Sequence, residues 1–457
     1  MNFILKPILF LFLIIFCVPL FAQDNSKISE LKFNLSEDGS SYAGLKTVNQ
    51  IQARYIWNNP DVNGVEQYSD SDLGIRRSRI FLYASLLDRV FVNSQIGADN
   101  ITYRSSQNVS LSLIDAQAEF VVNKNKLKVG LGLNSWNGIS RYNNSDFSEF
   151  LLVDQSGFAS PFNETFDRSG SQLGIYARGT LGKLQYRVAL TKPFETGIDS
   201  VSTPFTTERI NENFAVKGYF SWQFFDKENS SYPFLTMNNL GRGEILNVGA
   251  GFYYHPEAML VEAEKDLSTV DPFLAAWLIS TGQEYLLPDF ADYYPSKISD
   301  VFIVSADVFM DMPVNGNGAI TSYLAYYYNF FGPNYLRSMT TMNVSRLNSN
   351  QSLPQGMGNS QWETGTGHIL HGEVGYLISG SNTKNRFQPF GAFTMKNFKG
   401  LDETSFQFDA GINWLMYNHN IKWTLQYSTR PIYTMEDESS KWTSSKGQVI
   451  LQAQVCF

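Results

Sequence analysis

Basic side chains recur at positions where they could hold a small anion. Arg77 and Arg79 lie two residues apart in an alternating segment, so in a strand both project from the same face, about 6.6 to 6.8 Å apart along the chain. Both can therefore present a guanidinium to the same anion. The same alternation places further candidates on the polar faces of other predicted strands: Arg54, Arg178, Arg187 and Lys217.

The polar faces carry acids as well, which leaves two interpretations open. Lys183, Lys422 and Arg430 bring the basic set to nine, against the five acids Asp115, Glu119, Glu244, Asp307 and Asp409. A water-filled space lined in this way would favour anions, because charged groups set the selectivity of a narrow pore. Pairing of these charges across neighbouring strands would instead only brace the wall.

The sequence contains no clear pattern of a catalytic site or a metal site. His255 and His419 are isolated, and a spacing of three puts His368 and His371 on opposite faces of a strand. A Gly-x-Ser-x-Gly elbow is absent, and Gly249-Ala250-Gly251 lacks the strand-to-helix context of a phosphate loop. We predict a chain that is not an enzyme and has no catalytic residue, metal site or cofactor.

The two ends of the chain indicate export and a membrane. Lys6 is the only charge in the first 22 residues, and the apolar run 8–21 that follows it is too short for a membrane helix but suits a signal peptide. At the other end, Val449, Leu451, Ala453, Val455 and Phe457 share one face of a strand, and Gln448, Gln452 and Gln454 share the other. Such a strand suits lipid on one side and water on the other. We predict a signal peptide over 1–22 and a periplasmic segment over 23–44.

Sixteen alternating segments, from 45–57 to 447–457, follow in the remaining chain. Most reach the roughly 9 to 11 residues that a tilted strand needs to cross a bilayer. The composition agrees, since aromatic residues reach 15% while charged residues make up only 17%, and barrels carry aromatic girdles at both interfaces. We predict an all-β fold, a transmembrane antiparallel β-barrel of 16 strands over 45–457, in the outer membrane of a Gram-negative bacterium.

The connections between these segments alternate between long and short, as a barrel with both termini in the periplasm requires. Six of the seven even-numbered connections are tight and carry turn residues. The exception is 226–243, with Pro233 and Gly241-Arg242-Gly243, and a misread turn is one explanation for its length.

Two of the long connections contain further signals. The third, 134–170 (loop 3), carries Trp136, Arg141, Asp146 and Glu149. We predict that it folds inward as a constriction; a loop that covers the barrel mouth is the alternative. The connection 256–297 contains two helical patterns, at 258–267 and 272–280.

Several stretches, in this order, resemble the phosphate-selective porin family, the porins O and P, and the wider porin-like group. They are 73–80 running into 86–88, 113–117 with 127–130, 167–174, and 408–414 continuing through 422–427 to Phe457. The resemblance implies a sixteen-stranded barrel, usually a homotrimer, through which small solutes diffuse passively. It also implies that Arg77 and Arg79 belong to an arginine ladder of the kind that selects phosphate.

Loop 3 departs from the phosphate-selective pattern because its basic residues are outnumbered by acidic ones. It carries only Arg141 and Arg168, against Asp146, Glu149, Asp154, Glu164 and Asp167. The sequence therefore predicts a porin for small hydrophilic solutes, anionic or neutral, over a dedicated phosphate porin. Expected partners are outer-membrane lipid, surface polysaccharide and the barrel-assembly machinery, the last through the C-terminal strand. A net charge of -8 argues against nucleic acid. An adhesin or structural barrel and a lipid-modifying enzyme are the alternatives.

Overall fold

The structure is a computed structural model. It describes residues 31–57, 70–102, 111–134, 138–159, 171–193, 206–208, 212–229, 232–261, 265–266, 271–281, 292–293, 297–339, 361–380, 384–436 and 439–457. The predicted signal peptide, 1–22, lies outside these residues. In the predicted segment 23–44, strand β1 (Leu31–Asn34) pairs with the start of the next strand, residues 42–45.

Sixteen strands form the wall. They are β2 (Tyr42–Ile56), β3 (Asp70–Leu86), β4 (Val90–Thr102), β5 (Ser112–Asn123), β6 (Leu127–Asn134), β7 (Gln172–Leu181), β8 (Leu184–Lys192), β10 (Ala215–Gln223), β11 (Ile245–Val261), β14 (Lys297–Val314), β15 (Gly318–Phe330), β18 (Gly367–Leu377), β19 (Lys384–Phe398), β20 (Ser405–His419), β21 (Ile421–Glu436) and β22 (Ser439–Cys456). Each pairs antiparallel with the next. The predicted strand number is confirmed, and the first strand begins at Tyr42, three residues before the predicted start.

The sheet closes between its first and last strands. β2 pairs antiparallel with β22, so that Gln50 is opposite Gln454 and Gln52 is opposite Gln452. In both pairs the side-chain amides are joined by a hydrogen bond of 2.8 Å. Closure leaves no unpaired strand edge in the wall. A sheet that spans a lipid bilayer must be closed in this way, because unpaired backbone groups find no partners there.

Small elements lie beside the wall. β9 (Thr206–Glu208) pairs with the end of β11, β12 (Lys265–Asp266) pairs with β13 (Asp292–Tyr293), and β16 (Leu336–Met339) pairs with β17 (Gln361–Gly365). The helical pattern at 272–280 is confirmed as α1 (Pro272–Ser280), whereas the described part of 258–267 is extended, as the end of β11 and as β12. No helix among the described residues is long and apolar enough to span a membrane.

The two faces of the wall differ as the alternation predicts. Large apolar side chains are exposed at outward positions all round the barrel, among them Leu82, Leu131, Ile175, Phe220, Val304, Leu324, Val374, Phe408 and Val455. The inward positions of the same strands carry amides, hydroxyls and charges. An apolar exterior on a closed, polar-lined barrel is stable in a lipid bilayer and not in water. The protein is an outer-membrane barrel of a Gram-negative bacterium.

The long 226–243 connection is real, and the misread-turn explanation is wrong. β10 and β11, which flank it, are direct neighbours with Gln223 opposite Asn247, so no strand or turn is missing between them. The connection starts at the end with the short turns, which faces the periplasm in barrels of this type. As described below, its backbone then enters the barrel.

Leu324→Arg tests the lipid-facing surface. Leu324 is in the middle of β15, points outward and is 48% exposed. Arginine near the bilayer midplane costs about 2 to 4 kcal/mol in such barrels. We expect the variant to lower the free energy of unfolding in lipid vesicles by that amount, measured by urea titration, while Leu324→Ile stays close to the parent. Equal unfolding midpoints for all three proteins would show that this face does not meet lipid.

Candidate functional site in the barrel lumen

The described part of loop 3, residues 138–159, lies inside the barrel against the inward faces of β20, β21 and β22. The Val153 N–H donates to Gln426 Oε1 at 2.8 Å, and Asn413 Nδ2 donates to the Leu151 carbonyl at 2.8 Å. Gln454 Nε2 donates to the Ser148 carbonyl at 2.9 Å. A loop away from bulk water needs partners for its backbone groups, and the inward amides of the wall supply them.

The same loop reaches the opposite side of the barrel. The Arg141 N–H donates to Asp307 Oδ2 at 2.8 Å, and Tyr327 Oη donates to Ser140 Oγ at 2.7 Å. At Gly251 on β11, an added Cβ would lie 1.9 Å from the Ile139 carbonyl oxygen. Only glycine permits so close a backbone approach, so β11 is locally shaped to accept the loop.

Charged contacts join loop 3 to the first strands. Asp154 accepts from Arg77 Nη2 at 2.7 Å and also from Arg76 Nε, and Asp146 lies 2.7 Å from Lys46 Nζ. The ring of Phe147 lies under both Arg77 and Arg79, at 5.0 and 4.8 Å from their guanidinium carbons. Both distances are within the range of cation–π attraction. Loop 3 therefore contacts both predicted ladder arginines directly.

Two acids of the loop have displaced pKa values of opposite sign. Burial acts to raise the pKa of Asp146, but the adjacent Lys46 ammonium outweighs it and holds the pKa below its ordinary value. Burial, and then the charge of Asp146, raises the pKa of Glu149. A charged neighbour thus keeps Asp146 ionised, whereas Glu149 is the loop acid that takes up a proton more readily.

The 226–243 connection enters the lumen from the other end. Asn238 Nδ2 donates to Gln388 Oε1 on β19 at 2.9 Å, and the N–H groups of Asn239 and Gly241 donate to Asp311 on β14 at 2.9 and 2.8 Å. On the other side, Arg178 Nη1 on β7 donates to the Tyr232 carbonyl at 3.1 Å. The described part of this connection therefore crosses the barrel and is held on both sides.

Known proteins resemble this chain in fold, but none of the comparisons shows its family. No protein-family model matches the sequence, and no curated protein matches it. Among solved structures, an anion-selective porin from Comamonas acidovorans has a TM-score of 0.50 at 9% identity, over 91% of this chain and 100% of that one. OprB of Pseudomonas putida has a TM-score of 0.50 at 10% identity, over 92% and 95%. The chain has a porin fold.

The predicted pore residues occupy two separate groups on this porin wall. Arg77 and Arg79 lie on β3 beside Arg54 on β2, whereas Arg178, Arg187 and Lys217 lie on the adjacent strands β7, β8 and β10. All six are buried. Lys183 and Glu244, in contrast, are exposed in connections at the short-turn end, so their predicted inward placement is wrong. Trp136 lies outside the described residues.

Most of these charges have partners in the porin lumen. Arg79 pairs with Asp99 at 2.6 Å and Arg178 with Glu119 at 2.6 Å, each through two hydrogen bonds. Lys217 Nζ donates to Gln172 Oε1 at 3.1 Å, Arg54 Nη2 contacts Gln52 Oε1 at 3.5 Å, and Arg187 donates to the Pro233 carbonyl. These contacts are those of the bracing interpretation, and an anion-favouring lumen remains a prediction.

Open space remains between loop 3 and the wall. A cavity of about 100 Å³ is lined by loop residues 152–157 and by β2, β17, β20, β21 and β22. Arg54, Arg430, Asp409 and Gln426 belong to its lining. The contribution of 226–243 to this lumen was not predicted from the sequence. The unusual length of that connection was the available signal.

Proposed function

We propose that this chain is a porin that lets small hydrophilic solutes diffuse passively across the outer membrane. The observation that carries the proposal is a closed wall that is apolar outside and polar inside, with a polar cavity of about 100 Å³ beside loop 3. In this proposal, loop 3 (134–170) is the constriction, with Arg141, Asp146 and Glu149 among its residues. In this proposal the permeating solutes are small and hydrophilic, anionic or neutral.

We further propose a preference for anions. Among the buried polar residues of the described chain are thirteen Lys and Arg but nine Asp and Glu, although the whole protein carries a net charge of -8. Asp154, Asp99 and Glu228, which pair with lumen arginines, reduce this excess, and in this proposal the remaining positive charge acts on permeating ions. Arg77 and Arg79 share their surroundings with Asp154 and Asp99. This balance supports a general preference for small anions, phosphate included, over a dedicated phosphate site.

The assembly part of the proposal follows the porin fold. We infer a homotrimer embedded in outer-membrane lipid beneath surface polysaccharide, with the C-terminal strand β22 presented to the barrel-assembly machinery. Residues 1–22 act as the export signal and 45–457 form the barrel domain. That the chain is not an enzyme remains a prediction.

Planar-bilayer recording tests the function. The purified, folded protein should give stable single-channel steps in KCl, and under a KCl gradient its reversal potential should have the sign of an anion-preferring pore. A folded protein that inserts but never conducts would favour an adhesin, a structural barrel or a lipid-modifying enzyme. A reversal potential of the opposite sign would remove the anion preference and leave the pore.

A further inference from the structure

Two connections that start at opposite ends of the barrel meet inside it at one buried arginine. The Arg141 guanidinium of loop 3 contacts both carboxylate oxygens of Glu228, one of them at 2.8 Å, and donates to the Thr236 carbonyl at 2.9 and 2.6 Å. Its carbon lies 3.8 Å from the centre of the Phe309 ring. The Arg141 side chain is fully buried and that of Glu228 is 6% exposed.

The backbones of the two connections are also joined. Ser145 and Leu235 form a parallel β-bridge. On either side of it, the Asp146 N–H donates to the Leu235 carbonyl at 3.0 Å and the Leu235 N–H donates to the Asn144 carbonyl at 2.8 Å. Residues 141–146 therefore contact Glu228 and residues 235–236 inside the lumen, and we call this set of contacts the lumen clasp.

The barrel wall also holds in place the 226–243 segment, which forms one side of the clasp. Side chains of β7, β14 and β19 bond residues 232–241, as described above, and His419 Nε2 lies 2.8 Å from the Asn238 carbonyl oxygen. Since the described part of the 226–243 segment is fixed to the wall, it can serve as a support for loop 3.

We propose that the constriction is built jointly by loop 3 and the 226–243 segment, with Glu228 as the positioning residue that holds Arg141 and thereby the width of the pore. The inference rests on the proposed diffusion function and adds the periplasmic half of the constriction to it. Arg141 needs Glu228 because an arginine stays protonated and therefore charged. Without Glu228 the guanidinium loses the one carboxylate that it contacts directly among the described residues, a costly loss for a buried charge, and Arg141 turns toward water or a permeating anion.

Glu228→Gln, which removes the charge and keeps the shape, is the direct test. We expect a larger and noisier single-channel conductance and a reversal potential shifted further toward anions, because Arg141 is released into the pathway. Glu244→Gln is the matched control, since Glu244 belongs to the same inter-strand connection but is exposed. Glu228→Asp should restore part of the parental conductance. Equal conductance and reversal potential for the Glu228→Gln and Glu244→Gln variants would overturn the proposal.

A second measurement does not depend on conduction. Ser145→Cys introduces a thiol at the clasp, and the only other cysteine outside the predicted signal peptide, Cys456, is buried. In the folded barrel, a charged thiol reagent should label Cys at this position several times faster in the Glu228→Gln background than in the Glu244→Gln background. Equal rates would contradict the positioning role even if the protein conducts. A protein that never conducts but shows the rate difference would keep the clasp and lose the diffusion function.

An engineered disulfide provides the rescue. Ser145→Cys with Leu235→Cys places two thiols across a β-bridge, where Cα atoms are within disulfide range. Oxidation should return the Glu228→Gln pore to the parental conductance, and dithiothreitol should open it again. The two single-cysteine proteins are the controls. Failure of the pair to oxidise in the folded barrel would show that the two connections do not meet.

Discussion

Deleting residues 143–157 and joining Tyr142 to Phe158 through Gly-Gly-Ser is expected to raise single-channel conductance several-fold without unfolding the barrel. The Tyr142 and Phe158 rings stack with centroids 6.5 Å apart, and three residues can span about 10 Å. The wall is closed by strand pairing that involves none of the deleted residues. Removal of the segment leaves Asn413, Gln426 and Gln454 facing water.

The deletion also removes three acids, Asp146, Glu149 and Asp154, and no base. Anion preference should therefore rise together with conductance. Asp146→Asn, Glu149→Gln and Asp154→Asn, combined in one full-length protein, are the matched control: they should raise anion preference with much less gain in conductance. The measurements are single-channel current and reversal potential in KCl, with heat-modifiable mobility as the check on folding. A folded deletion variant with parental conductance would place loop 3 outside the conducting path.

Replacing Arg77 and Arg79 together with glutamine is expected to shift the reversal potential strongly toward cations. Two positive charges disappear, and Asp154 and Asp99 lose partners at 2.7 and 2.6 Å. A unit charge at 4 Å contributes about 1 kcal/mol in water, which corresponds to roughly a fivefold change in local ion concentration per charge. The shift should be greater in dilute salt, since screening lengths are about 10 Å at 0.1 M and about 3 Å at 1 M.

Arg89→Gln is the control for this double variant, because Arg89 lies exposed in the short turn between β3 and β4. It removes one charge of the same kind outside the lumen and should leave the reversal potential unchanged. If the double variant behaves like Arg89→Gln at every salt concentration, the arginines of β3 only brace loop 3, and permeating ions respond to other groups.

The wall could be predicted from the sequence because it depends on a local property. Alternation with period two, as in 447–457, assigns each side chain to one face of a strand whatever its neighbours are. The even strand number and the alternation of connection lengths then follow from antiparallel closure. Alternation alone was enough to locate all sixteen strands, and it predicted inward positions for Arg77, Arg79, Arg178 and Arg187 without any knowledge of their partners.

The lumen was decided only by tertiary structure. Arg178 pairs with Glu119, which is 59 residues away on β5, and the Leu151 carbonyl is bonded by Asn413, which is 262 residues away. No local pattern encodes such pairs, because strand register and barrel closure bring the partners together. Irregular segments such as 138–159 and 226–243 have no period to reveal which way they fold. Their inward course is fixed by the wall side chains that satisfy their backbone groups, so the sequence by itself determined the barrel, and only the assembled barrel determined what fills it.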